Sequence, residues 1–390
     1  MTRRHTLRSG DWPSVFGRLL ELVAAGCGDD PFEEIYTLLV GRLWAEQRGE
    51  PFEEERLGRL LGEASAHWPG LLDEPRSRLP EPTRRACVQV LAPLAMQGAE
   101  LEGLDAAFEV LVGRLSRGEK GQFFTPRHVI EACVRATAPR GRETVLDPAC
   151  GSGGFLLHSL RYAQRHGPQS LELVGYDIDR RACRVAALLL RAAGAERVRL
   201  DCRDSLLDLG TAAPEADVVL ANPPFAGEIQ DEALLAASEV VRPRRRIERD
   251  AIFLERCTRA LRPGGRLALV LPSNKIGGDR WGYLRRWLLR HLRVVAVLSL
   301  GRRTFLPHTH QKACVLFALR RERALEAPPG DEAVLLAVSE AEGKDARGRA
   351  VLRPGAPPWG PSWERLDHDL GGFVERFHTF TEQNRVPWSP

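Results

Sequence analysis

Several things are missing from this 390-residue chain. No apolar run reaches the length of a membrane span, and no basic-then-apolar leader opens the chain, so a cytoplasmic protein is expected. Cys27, Cys87, Cys133, Cys150, Cys183, Cys202, Cys257 and Cys314 are the eight cysteines, and none lies within metal-ligand spacing of another. They read as reduced core or strand residues, and no metal site is expected. No Walker A sequence occurs, because Gly113 to Lys120 lacks the Gly-Lys-Ser/Thr ending; a motor or restriction subunit role is not expected. A nuclease set is matched only loosely, by Asp331 with Glu342-Gly343-Lys344, a spacing common by chance. Lysine is scarce too, and arginine far exceeds it throughout.

What remains is mildly basic, with a formal charge of +4 and an isoelectric point near 8.7. That permits nucleic acid binding without requiring it. Arginines cluster at Arg242, Arg244, Arg245 and Arg246, then Arg249, and again at Arg285, Arg286, Arg290 and Arg293. The first cluster reads as a phosphate-facing surface. A solvated arginine-rich surface from coding bias is the bland alternative, and it stays open for the helix at 281–292.

The most informative stretch is Asn222-Pro223-Pro224-Phe225, which follows the apolar run Val218 to Ala221. A polar residue, two prolines and an aromatic at a strand end fit poorly with packing alone. They fit a pocket for a flat, amine-bearing base. The Asn222 side-chain oxygen and the Pro223 carbonyl can both accept from an exocyclic amine, leaving its lone pair free to attack a methyl group. The prolines stiffen the turn, and Phe225 offers a face for a flipped base. Alone, the tetrapeptide could equally be a strand-ending turn.

Four further segments occur in a consistent order. Val145 to Leu156 runs a short strand into a glycine turn and then a helical pattern, the place where a doubly wound sheet binds a nucleotide-like ligand. Gly151, Ser152, Gly153 and Gly154 let the backbone approach closely. The third glycine of the dinucleotide fingerprint is missing, which argues against NAD. Asp147 in that turn suits a cationic amino group. Asp177 ends the next strand, placed for ribose hydroxyls, and Asp204 with Ser205 follows the third, where an adenine amine could be met. Upstream stands Gln122-Phe123-Phe124-Thr125-Pro126-Arg127, with Thr125 read as a helix N-cap and Pro126 at the first helical position. Each also has a bland reading as a solvated strand end, ordinary core or a tight turn.

The fold class expected is α/β, a doubly wound and mainly parallel sheet with an N-terminal helical domain. Residues 1–104 read as helices; Asp30-Pro31-Phe32-Glu33 is a capping box, and Phe32, Ile35, Leu39 and Leu43 share a face. Residues 105–325 alternate strand and helix as a catalytic domain. Pro263-Gly264-Gly265 reads as a turn feeding the fifth strand, and the last two strands are expected antiparallel, because Gly301 to Lys312 is too short for a helical crossover. Residues 326–390 read as a C-terminal extension with one strand and a short helix.

With these segments together, the chain resembles the N6-adenine DNA methyltransferases, most closely the modification subunit of type I restriction–modification systems. The resemblance rests on GQFFTPRHV (121–129), VLDPACGSGGFL (145–156), GYDID (175–179), RDSLL (203–207), NPPF (222–225), FLERCTRALRPGGRLALVLP (253–272) and FLPHTHQKACVLF (305–317). It implies a Rossmann-like methyltransferase fold, S-adenosyl-L-methionine as methyl donor, and adenine N6 in DNA as acceptor. It places the donor on Gln122 to Arg127, Asp147, Gly151 to Gly154, Asp177, Asp204 and Ser205, and the target base at Asn222 to Phe225. Asp177 stands where the family usually has Glu, and the loop from Ala226 to Asp250 is unusually rich in arginine. Only about 65 residues follow the core, where stand-alone members usually carry a target-recognition domain, so a separate specificity subunit is the expected partner. Two alternatives stay open. One is a protein glutamine methyltransferase, whose site usually carries Tyr where Phe225 stands. The other is a DNA-binding subunit that keeps the fold without turnover.

Overall fold

The computed structural model describes residues 12–26, 30–98, 101, 103–108, 125–167, 170–208, 215–225, 227–240, 246–356 and 362–388. Gln122, Phe123, Phe124, Arg242, Arg244 and Arg245 therefore lie outside the described residues. The chain divides into two compact units, Met1–Lys120 with Arg184–Glu196, and Gly121–Cys183 with Arg197–Pro390.

The first unit is helical, with α1 (Trp12–Gly26), α2 (Pro31–Arg48), α3 (Glu54–His67) and α4 (Glu81–Leu91). At the start of α2 the Asp30 carboxylate accepts from the Phe32 N–H, and Pro31 takes the first helical position, where no N–H is needed. Gly49 closes the helix in the left-handed region at φ 66°. Phe32, Ile35, Leu39 and Leu43 are all fully buried. Glu33 was expected to complete a capping box; its carboxylate instead grips Arg184 at 2.6 and 2.7 Å. The Arg184 guanidinium lies 4.3 Å over the Tyr36 ring and donates to the Leu71 carbonyl, and its own carbonyl accepts from the Tyr36 hydroxyl.

The second unit is built on one sheet. Its strands are β1 (Thr144–Asp147), β2 (Glu172–Asp177), β3 (Arg197–Cys202), β4 (Ala216–Ala221), β7 (Leu261–Pro272), β8 (Leu292–Ser299), β9 (Ala313–Arg320) and β10 (Leu335–Val338), and β5 (Glu228–Ile229) with β6 (Ile247–Glu248) forms a separate small ribbon. The order across the sheet is β10-β8-β9-β7-β4-β1-β2-β3. Every neighbouring pair runs parallel except those of β9, which is antiparallel to both β7 and β8. The fold is thus the doubly wound, mainly parallel α/β class. Parallel strands covered on both faces should be apolar throughout, and Val218 to Ala221 and Leu267 to Leu271 are fully buried.

Two details differ from the sequence expectation. The Pro263-Gly264-Gly265 turn lies inside β7, where the ladder to β4 slips between Ala216 and Val218 and Gly264 takes φ 75°. Residues 326–390 are part of this unit. They supply β10, parallel to β8, and a C-terminal helix (Leu370–Gln383) whose His378 bonds the Arg135 carbonyl at 3.1 Å. Phe373 and Phe377 of that helix pack on Phe317 of β9. A polar segment after a proline pair looked like an appendage; its few aromatics are what bind it into the core.

Candidate active site

The motif residues collect at the carboxyl ends of β1, β2, β3 and β4, around the point where strand order reverses, which is where open α/β sheets take their ligands. Past β1 the chain makes the glycine turn. Gly151 and Gly153 hold φ of 51° and 84°, a region in which side chains are strained, and a helix (Gly154–Arg165) starts at once. A Cβ on Gly154 would come within 2.8 Å of both the Arg127 guanidinium and the Ile130 side chain, so the helix Arg127–Thr137 sits directly against this turn. Gly175 on β2 is equally confined, between Leu200, Leu156 and Cys150.

Asp147 is 1% exposed; one carboxylate oxygen accepts from the Ala149 N–H at 3.1 Å. Burial, with the Asp177 charge nearby, pushes its pKa well above the usual carboxylate range. Asp177 accepts from the Gly151 N–H at 2.8 Å on one oxygen and from the Asp179 N–H at 2.9 Å on the other, which ties β2 to the glycine turn. Burial raises its pKa as well. Each oxygen of such a carboxylate keeps a lone pair for a further donor such as a hydroxyl. Asp204 is exposed and caps a short turn of helix (Ser205–Asp208) through the Leu206 N–H. Ser205 is buried, and its hydroxyl donates to the Pro148 carbonyl at 2.6 Å, which braces the glycine turn.

Asn222 follows β4. Its amide nitrogen donates to the Thr125 hydroxyl at 2.9 Å, while its Oδ1 is buried with no hydrogen-bond partner among the described residues. This corrects the expected role of Thr125. The helix begins one residue later than expected, with Pro126 as its capping residue and no side-chain cap, and the Thr125 hydroxyl serves Asn222 instead. Pro223 is buried and Phe225 half-buried. The Phe225 ring meets Phe305 edge-on, with centroids 6.1 Å apart and planes at 70°. Phe305 lies in a segment that carries the family resemblance, yet nothing local marks it as part of the pocket, because it is 80 residues from Phe225 in sequence.

The chain leaving Phe225 returns through the β5–β6 ribbon, where the Arg249 N–H donates to the Gly227 carbonyl at 3.0 Å. Lys275, 1% exposed, holds this base: its ammonium reaches Glu248 at 2.6 Å and Asp250 at 3.0 Å and lies 4.3 Å over the Trp281 ring. Burial raises Asp250 to a pKa of about 6 against the opposing pull of Lys275. Arg246, the described member of the arginine run, is exposed and within 3.4 Å of Glu228. Among the described residues no cluster could hold a metal ion, and no helix is long and apolar enough to cross a membrane.

A glycine turn with an acidic residue after β1, a carboxylate ending β2 and an acceptor-bearing Asn-Pro-Pro-aromatic corner after β4 define a Rossmann-like transferase of the methyltransferase class. The chain belongs to the N-6 DNA methylase family, whose model matches residues 102–353. It is 27% identical over 225 residues to the type I restriction enzyme EcoEI methylase subunit of Escherichia coli, covering 54% of this chain and 44% of that one. It is 29% identical over 204 residues to the EcoKI methylase subunit of Escherichia coli strain K12, covering 46% and 37%. The matches thus span less than half the length of these relatives. Among solved structures, the type I restriction–modification methyltransferase subunit from Streptococcus thermophilus superposes with a TM-score of 0.65 at 16% identity, over 95% of this chain and 93% of that one.

Proposed function

We propose that this chain transfers a methyl group from S-adenosylmethionine to N6 of adenine in DNA, as the modification subunit of a restriction–modification or related defence system, with sequence choice supplied by a separate specificity subunit. The observation that carries this reading is Asn222 Oδ1, buried and without a partner among the described residues, at the end of β4, the strand that pairs with β1. A buried acceptor left unpaired costs about 1–3 kcal/mol unless a donor arrives, and an exocyclic amine is such a donor. Thr125 holds the amide in the orientation that presents Oδ1.

The residues fit the donor. The positive-φ glycines allow close backbone approach, Asp147 offers a buried carboxylate to an amino group, and Asp177 offers its remaining lone pairs to ribose hydroxyls. When bound, S-adenosylmethionine supplies an electrophilic methyl group. Asn222 Oδ1 and the Pro223 carbonyl accept from the target amine, keeping its lone pair out of the ring and aimed at that methyl. Phe225 and Phe305 offer aromatic faces to a base turned out of the duplex. Proximity and fixed dipoles supply most of the rate. The arginine run from Arg242 to Arg246 is assigned to phosphates flanking the target. The name of the two relatives as type I methylase subunits favours this assembly over the protein glutamine methyltransferase reading.

The test is transfer of radiolabel from S-adenosylmethionine to adenine-bearing duplex, by this chain alone and with a cognate specificity subunit. Asn222→Ala should lower transfer by about a hundredfold or more, the effect of deleting one fixed polar group at a reacting centre, while calorimetric cofactor affinity stays unchanged. Label appearing in protein glutamine and not in DNA would reject the reading.

A further inference from the structure

The Glu342-Gly343-Lys344 sequence, which loosely mimics a nuclease set, has a different use in the folded chain. We propose that Glu342 and Lys344 are positioning residues that hold the Phe305 wall of the target-base pocket in place; this rests on the functional reading above. The Lys344 ammonium donates to the Thr304 carbonyl at 2.9 Å and to the Leu306 carbonyl at 2.6 Å, the two that bracket Phe305. Glu342 Oε2 accepts from the Arg303 N–H at 2.5 Å and from the Thr304 hydroxyl at 3.2 Å. One cation and one carboxylate thus satisfy four polar groups of a four-residue stretch, 303–306, that no strand pairs. Loop backbone groups that are buried need such partners, and charge-assisted bonds are the stronger kind. Thr304 and Phe305 are both about 2% exposed, so water does not substitute.

The approach is built for closeness. A Cβ at Gly301 would overlap the Glu342 carboxyl, and one at Gly348 would come within 2.9–3.0 Å of Leu306. The clamp is itself anchored: the Gly343 N–H donates to the Asp367 carbonyl at 2.8 Å, and bridges pair Glu342 with His368 and Lys344 with Ala350. Gly343 makes the turn between the two charged residues at φ 68°. His308, just past the clamped stretch, has a lowered pKa from burial and from the Lys344 charge, as expected with the ammonium this close. Both hydrogen bonds that the ammonium makes to this loop go to carbonyls.

The experiment compares hydrogen exchange by mass spectrometry in the full chain and in Lys344→Met, Lys344→Arg and Thr304→Val. In Lys344→Met, amides of 301–309 should exchange about tenfold faster or more while 144–177 are unchanged, and Lys344→Arg should recover much of the protection. Thr304→Val, which removes one bond, should shift the same segment by a smaller factor and serves if Lys344→Met does not fold. In methyl transfer to duplex DNA, Lys344→Met should lower kcat about tenfold with the cofactor KM unchanged. Unchanged exchange in 301–309, equal acceleration in both segments, or wild-type kcat in Lys344→Met overturns the proposal. If the unaltered chain transfers no methyl to DNA even with a cognate specificity subunit, the functional reading fails, and the exchange comparison still decides whether the clamp exists.

Discussion

At the residue scale, Asp147 and Asp177 are carboxyls whose burial works against stability at neutral pH. Both carboxyls have raised pKa values because they are buried, so the folded chain binds those protons more tightly than the unfolded one. Stability from this source is present below the ordinary carboxylate pKa and is lost as pH rises toward the folded values. Asp147→Asn keeps an acceptor for the Ala149 N–H and removes the charge. It should raise the melting temperature of the ligand-free protein by a few degrees at pH 8, with a smaller gain at pH 5, while weakening cofactor binding. Scanning calorimetry at the two pH values, with a cofactor titration, checks both halves; equal melting curves at pH 8 would contradict it. Asp177→Ala should weaken cofactor binding about 10–100-fold, the worth of one or two hydrogen bonds to a charged group, as read by calorimetry. The placement of Asn222 and these carboxylates at strand ends was legible, because a polar residue that closes an apolar run marks where the strand stops. Thr125 was misread because a threonine before a proline and a helix looks the same whether it caps that helix or faces a side chain 97 residues away.

At the scale of elements, two packing points decide whether the pocket keeps its shape. Gly175 leaves no room for a methyl group between Leu200, Leu156 and Cys150. Gly175→Ala should cost about 1–3 kcal/mol in chemical denaturation, as overpacking does, and loosen the glycine turn through Cys150. Lys275 neutralises two carboxylates where β6 meets the helix Arg249–Ala260. Lys275→Met would take its cation from the fully buried Asp250, while Glu248 keeps Arg280 at 3.6 Å, and a loss of about 3–5 kcal/mol is expected. A melting temperature within a degree of the unaltered chain would rule that out. The strands were legible because parallel strands are apolar runs bounded by turns, and the antiparallel β9 followed from a connection too short for a helix. The place of β10 was not legible: Leu335 to Val338 is short and half-exposed, and only its pairing with β8 reveals it as the sheet's edge. The Phe305 clamp was hidden for a related reason, since side chain to main chain bonds leave no periodic trace.

At the scale of the molecule, the helix Arg180–Ala192 is shared in an unexpected way. It opens just after β2, yet from Arg184 onward it belongs with the N-terminal helices. Arg184, gripped by Glu33 and stacked on Tyr36, is the clearest sign of it. A boundary at residue 104 therefore cuts through contacts that no linear reading of composition could show. A fragment of residues 121–390 should unfold at a lower temperature than the full chain, because the buried Arg184 would lose Glu33, Tyr36 and the Leu71 carbonyl. Circular dichroism melting checks this, and a sharp transition equal to that of the full chain would disprove it.

The Thr125–Asn222 bond, the Phe225–Phe305 contact and the grip of Glu342 on Arg303 draw the pocket from four stretches far apart in the chain. Contacts of such long sequence separation close late, because the intervening loop must first give up its freedom. During synthesis the glycine turn can therefore consolidate while the Phe305 wall is still in the ribosome. On the proposed function, a nascent or truncated chain would carry the glycine turn without the Phe305 wall and is expected to transfer no methyl group.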